Sequence, residues 1–144
     1  MRQRLIIAIV LLTAGCGRGA AMGQSGFYAV ASTRDIMDGI VIPDSQAVFD
    51  AVSYVDGKLT RVPKGDDEWN RLRVRALAVA EAGNLLQMPP RVKSGDWSTI
   101  AHDMTTKAAA VAKAAEANNP DAVLLAGGEL YDTCAACHGK YLPP

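Results

Sequence analysis

Residues 128–138 read GELYDTCAACH, and the last five of them form the pattern C-x-x-C-H. On a helix, Cys134, Cys137 and His138 occupy positions i, i+3 and i+4, which face the same side. Two thiols on that side can form thioethers with one porphyrin while the adjacent imidazole reaches its iron. The spacing therefore predicts one covalent c-type haem, attached through Cys134 and Cys137 and ligated by His138 on the proximal side of the iron.

The same three side chains have other uses in proteins. A thioredoxin-like redox pair requires a βαβ context, which the sequence around the motif does not show. A structural disulfide between the two cysteines would close only a very short loop and stabilise little. A zinc site requires further thiol or imidazole ligands, and the only other histidine is His102. A zinc or thiol structural module stays open as the lesser alternative.

The first residues of the chain are typical of a bacterial export signal. Arg2 and Arg4 precede an apolar run over residues 5–12, and small residues then lead to Cys16. The apolar run is too short for an ordinary transmembrane helix. We predict that residues 1–15 are a lipoprotein-type signal peptide, that Cys16 is lipidated, and that residues 16–28 are a flexible tether. Ordinary cleavage after Ala21 is the competing prediction. By either route the protein reaches the periplasm, and lipidation would anchor it to a membrane.

The remaining residues, 29–144, contain four segments in which apolar residues recur at helical spacing. The first segment starts at about residue 32, is interrupted by Pro43, and restarts to run to about residue 55. The others cover about 67–87, about 94–115, and the residues from about 120 onward. No segment of useful length alternates with the period of a strand. Four amphipathic helices with short connections predict an all-α, antiparallel four-helix bundle with the haem attached to its C-terminal helix.

Composition and charge exclude several classes of function. The chain has 15 basic and 15 acidic residues, so its formal net charge is zero, and no basic stripe indicates nucleic-acid binding. We find no nucleophile–base pair, no additional metal cluster and no dinucleotide-binding glycine motif. We therefore predict a protein that is not a conventional enzyme.

The whole pattern resembles the class II cytochromes c, the family of cytochrome c prime and its low-spin, methionine-ligated relatives. Besides the haem motif on the last helix, the residues that carry the resemblance are RDIM at 34–37, AEAGNLL at 80–86, GDW at 95–97 and GELY at 128–131. The resemblance covers essentially the whole mature chain. It implies a periplasmic single-electron carrier with periplasmic redox proteins as donor and acceptor. By analogy it also implies a homodimer formed through the first two helices.

The resemblance further implies that Met37, in the first helix, is the second axial ligand. A Met/His pair gives a saturated low-spin iron suited to electron transfer, whereas most buried methionines only fill space in a core. Arg34, one helical turn earlier, is a candidate partner for a haem propionate, and the alternative is an exposed arginine. An open distal side would instead make a five-coordinate cytochrome that binds nitric oxide or carbon monoxide. The weaker candidates for the distal ligand are Met22, Met88, Met104 and His102.

Overall fold

The computed structural model describes Gly26 and residues 28–142. The predicted signal peptide, Cys16 as the predicted lipidation site, Met22 and most of the predicted tether therefore lie outside the described residues. The described chain is mostly helical, and its helices pack against one another, as the sequence predicts for an all-α protein. No helix among the described residues is both long enough and apolar enough to cross a membrane.

The first helix consists of three parts that follow one another without a break. They are α1 (Thr33–Ile36), a π-helical segment (Met37–Val41) and α2 (Ile42–Phe49). Ser32 caps the start of the helix, because its hydroxyl accepts the Asp35 amide at 3.1 Å while the Asp35 carboxylate accepts the Ser32 amide at 2.8 Å. These bonds form a capping box. The Ser32 hydroxyl also donates to the Asp35 carboxylate at 2.7 Å, and this bond, together with the bond from the Ser32 amide, lowers the pKa of Asp35.

Pro43 does not interrupt this helix, so that part of the sequence prediction is wrong. It lies in the first turn of α2, directly after the π-helical segment, and it lacks the N–H that a residue inside a regular helix donates to the carbonyl four positions back. In the turn before it, the amide of Ile42 donates to the carbonyl of Met37, five residues back instead of four. The helix therefore passes the proline through one wide π turn.

A short hairpin follows the first helix, where we predicted helix to about residue 55 and no strand. Strand β1 (Ser53–Val55) pairs with strand β2 (Lys58–Arg61) in antiparallel fashion. Asp56 and Gly57 make the turn with φ values of 49° and 73°. Positive φ at both central residues is typical of a two-residue hairpin turn and accounts for the Asp-Gly pair.

Three long helices complete the fold, and they lie close to the predicted positions. They are α3 (Gly65–Leu86), α4 (Trp97–Glu116) and α5 (Pro120–Tyr141). Helix α3 packs along α4, and α4 packs along α5. Many of the buried side chains of α3 and α4 are alanines: Ala76, Ala80, Ala82, Ala101, Ala108, Ala112 and Ala115. Small side chains at the contact allow two helix axes to approach closely.

Helices α3 and α4 approach each other closely at Gly83. A Cβ atom added to Gly83 would lie 2.8 Å from the carbonyl oxygen of Ala101 and still closer to the hydroxyl of Thr105. That hydroxyl lies 3.1 Å from the carbonyl oxygen of Ala80, to which it can donate a hydrogen bond across the interface. Gly83 is therefore required by the space between the two helices and by no special backbone conformation.

A buried arginine joins the start of the first helix to the end of α3. Arg91 is 7% exposed, and no sequence pattern indicated its burial. Its Nε donates to the carbonyl of Leu85 at 2.7 Å, and its Nη1 donates to the carbonyl of Ala31 at 3.1 Å. The carbonyl of Leu85 lies at the C-terminal end of α3, where carbonyl groups carry partial negative charge, so it is a favourable partner for a guanidinium.

Candidate functional site

A cavity of ≈ 260 Å³ lies between the first helix, α4 and α5. Its wall includes the residues that the sequence assigns to the haem and its iron: Met37, Cys134, Cys137 and His138. Met37 and the haem motif are far apart in the sequence, and the packing of the helices brings them to one space. Most of the remaining wall is formed by apolar side chains.

Helix α5 contributes the thiols and the imidazole. It runs unbroken through the motif, so the i, i+3, i+4 spacing predicted for Cys134, Cys137 and His138 is confirmed. Both thiols are free and half-buried, and Cys137 packs against the hydrophobic core. Burial raises the pKa of both thiols above the usual value, and the neighbouring Cys137 adds to the effect at Cys134. The side chain of His138 lies at the mouth of the cavity and is exposed.

The first helix forms the opposite wall. Met37 is half-buried there and packs against the core, and Val41 and Ser45 continue the wall along the same helix. The Ser45 hydroxyl donates to the carbonyl of Ile42 at 3.3 Å, so its hydrogen is already used within the helix. The thioether sulfur of Met37 is the soft donor atom that this wall presents to a metal.

Helix α4 supplies a second methionine to the same cavity. Met104 is 5% exposed and lines the wall together with Trp97 and Ile100. The sequence predicted Met104 as a core residue, which its burial confirms, but gave no signal that it borders the cavity. His102 is exposed, as predicted, and neither His102 nor Met88 lines this cavity.

The last turn of α5 is fixed to the start of α4. The rings of Trp97 and Tyr141 meet edge to face with their centroids 5.0 Å apart. The Tyr141 hydroxyl donates to the carbonyl of Ser94 at 2.8 Å, and Lys140 pairs with Asp96. That lysine lowers the pKa of the Asp96 carboxyl. These contacts hold the turn that carries the proximal histidine candidate against the wall formed by α4.

An aromatic pair lines one side of the cavity. Phe49 and Tyr131 lie edge to face, with ring centroids 5.8 Å apart, and both line the wall. No sequence pattern indicated that Phe49 lines the cavity. Tyr131 lies one helical turn before Cys134, and this spacing could have indicated that it faces the site.

The structure does not bring Arg34 to the cavity wall. Its side chain is 89% exposed and forms an ion pair with Asp38 at 3.4 Å. This is the geometry expected for the alternative, an exposed arginine on a helix surface. A contact between Arg34 and a haem propionate stays a prediction.

The residues at this site fit a c-type haem. Free thiols and an imidazole face an apolar cavity from one helix, and a thioether faces it from another helix. These are the groups that attach a haem covalently and ligate its iron on both sides. Within residues 28–142, no group of three or more His, Cys, Asp or Glu side chains is arranged to hold a metal ion directly.

No protein-family model matches this chain, and no curated protein or solved structure is significantly similar to it.

Proposed function

We propose that this chain is a periplasmic class II cytochrome c that carries single electrons. In this proposal the helices form an antiparallel four-helix bundle around one haem c, attached to Cys134 and Cys137. The observation that supports it most directly is that the C-x-x-C-H motif and Met37 line one apolar cavity from two different helices.

Each residue at the site has a distinct role in this proposal. Cys134 and Cys137 fix the ring to α5 through thioether bonds. His138 ligates the iron on the proximal side and Met37 on the distal side. A haem bound here supplies a redox couple in which the iron gains or loses one electron. The apolar walls exclude water and so lower the local dielectric, which tunes the reduction potential.

The partners follow from this role. Electrons come from one periplasmic redox protein and pass to another, and the protein itself catalyses no conventional reaction. A lipid on Cys16, which lies outside the described residues, would keep the carrier close to a membrane. A homodimer through the first two helices is part of the same proposal.

A five-coordinate cytochrome that binds nitric oxide or carbon monoxide is the alternative function. It would use the same cavity with Met37 turned away from the iron. The observation that favours it is the apolar lining of the cavity beside Met37, which includes Val41, Ile42 and Phe49, because an apolar distal pocket suits a small uncharged gas. A zinc or thiol module formed by the three motif residues is the lesser alternative.

The test is to isolate the full chain from a host that exports it and attaches haem to cytochromes c. We expect a red protein that keeps its haem through acid–acetone extraction, has low-spin spectra in both oxidation states and does not bind carbon monoxide readily when reduced. Ready binding of carbon monoxide would contradict the electron carrier and support the gas-binding alternative. A colourless protein that contains zinc would support the structural module.

Removing both thiols should abolish covalent attachment. In the variant Cys134→Ala/Cys137→Ala, we expect acid–acetone to extract all of the haem, because no thioether can form. The matched control is Ala136→Ser, which alters an exposed motif residue that does not line the cavity and should leave attachment complete. Haem retained by the double variant would show that attachment uses other residues.

A further inference from the structure

The π-helical segment Met37–Val41 changes which residues of the first helix face the interior. In a regular α-helix, residues 7, 11 and 14 positions apart lie within about 40° of one another around the axis. Val41, Ser45 and Val48 are buried, and Arg34 precedes them by these three spacings. An unbroken α-helix would therefore turn Arg34 into the core.

The structure has the opposite arrangement. The side chain of Arg34 is 89% exposed, whereas Ile36 is 2% exposed. Ile36 precedes buried Val41 by five residues, which in a regular α-helix would place the two about 140° apart. The π turn, in which the Ile42 amide donates to the carbonyl five residues back, brings positions five apart onto one side. The wide turn thus buries an isoleucine in place of an arginine.

The same change decides which side chain reaches the cavity. The residues of the first helix that line the cavity include Val41, Ile42, Ser45 and Phe49. In a regular helix their mean direction would lie close to that of Asp38, four residues before Ile42, and about 100° from that of Met37. In the π turn the residue five positions before Ile42, Met37, lines the cavity instead. The side chain of Asp38 is 58% exposed and pairs with Arg34 on the outer surface. The cavity wall therefore carries the thioether of Met37 at this point and not the carboxylate of Asp38.

The extra residue of this turn is best identified as Gly39. Gly39 contributes no side chain to the core. A Cβ added to it would meet no atom within 4 Å, so the packing around it would also accept a larger residue. Glycine disfavours a regular helix, and Pro43 follows in the first turn of α2 without an N–H to donate. Both residues favour a break in the regular bonding pattern at this point.

We propose that this π turn is a one-residue register insertion that aims Met37, instead of Asp38, at the haem iron. The proposal rests on the haem-binding function proposed above and assigns Gly39 as a positioning residue. In this proposal Met37 reaches the iron because the extra residue rotates the start of the helix about its axis.

The test is the deletion of Gly39 from the full chain. Met37 and Ile42 then become four residues apart, so a regular α-helix can keep Ile36 in the core and Met37 at the cavity. We expect the deletion protein to keep covalent haem, a low-spin spectrum and no ready binding of carbon monoxide. Inserting one alanine between Gly39 and Ile40 should instead rotate Met37 away by about a further 100°. That insertion protein should keep covalent haem but become high-spin and bind carbon monoxide.

Each outcome decides the proposal. A high-spin deletion protein would overturn it, as would a deletion protein that fails to fold, because the deletion should restore a regular helix. Methionine ligation kept in both variants would also overturn it. The thermal midpoint gives a readout besides the iron: it should fall further for the insertion than for the deletion. A wild-type protein without haem or without methionine ligation would instead contradict the proposed function itself.

Discussion

Met37→Ala is expected to convert a low-spin, six-coordinate iron into a high-spin, five-coordinate one that binds carbon monoxide when reduced. The thioether of Met37 is the soft donor that the first helix presents to the cavity, and alanine cannot replace it. His102, the histidine outside the motif, is exposed and does not line the cavity. Absorption spectra in both oxidation states and a carbon monoxide titration of the reduced protein measure the change.

The matched control for this substitution is Met104→Leu. Met104 is buried in the wall of the same cavity but belongs to α4. Methionine and leucine have similar volumes, and such swaps usually cost less than about 1.5 kcal/mol. The control should therefore keep a low-spin spectrum. If Met37→Ala left the spectrum unchanged, Met37 would be excluded as the ligand, and a high-spin Met104→Leu protein would assign that role to α4.

Gly83→Ala is expected to destabilise the protein more than any other glycine-to-alanine change in α3 or α5. The new methyl group would lie 2.8 Å from the backbone carbonyl oxygen of Ala101, so α3 and α4 must move apart. Overpacking typically costs about 1–3 kcal/mol. Disruption of the hydrogen bond from Thr105 to Ala80 adds about 1 kcal/mol to this loss of stability. The better helix propensity of alanine offsets about the same amount. Urea unfolding should show a net loss of about 2 kcal/mol.

Gly128→Ala is the control for the effect of helix propensity alone. Gly128 is exposed on α5, and a Cβ there would meet no atom within 4 Å. This variant should gain up to about 1 kcal/mol. The double variant Gly83→Ala/Thr105→Ala should recover only part of the lost stability, because the contact with the Ala101 backbone persists. Equal stability of the two single variants would mean that α3 and α4 can separate without cost.

The haem motif and the three long helices could be predicted from the sequence because each depends on spacing along a single helix. The C-x-x-C-H pattern needs only that α5 be continuous through Cys134 and His138, and it is. The hairpin was missed although its signal was present. Asp56-Gly57 lies between two short strands, but the segment was interpreted as the end of a helix and a loop.

Features that depend on how helices meet could not be predicted. Arg91 is buried because two carbonyl groups from distant parts of the chain converge on it. Phe49 reaches the cavity only because α2 lies against α5 near Tyr131. The sequence also did not reveal which residues of the first helix face the interior. That prediction assumes 3.6 residues per turn throughout, and a π turn with its bond to the residue five positions back breaks this assumption. At the π turn the observed helix contains one residue more than a regular α-helix would need to keep the same side chains facing the interior.

The unequal packing of the helices has a consequence for the kinetics of the site. Helices α3, α4 and α5 pack on their neighbours over long stretches, whereas the first helix contacts the others over shorter ones. Segments with fewer buried contacts open locally at lower free energy than the rest of a protein. We expect the amides of the first helix to exchange hydrogen with solvent sooner than those of α3 and α4. If Met37 ligates the iron, each such opening would free the sixth position while the remaining helices stay folded. The rate at which an external ligand enters would then be limited by the opening of a helix.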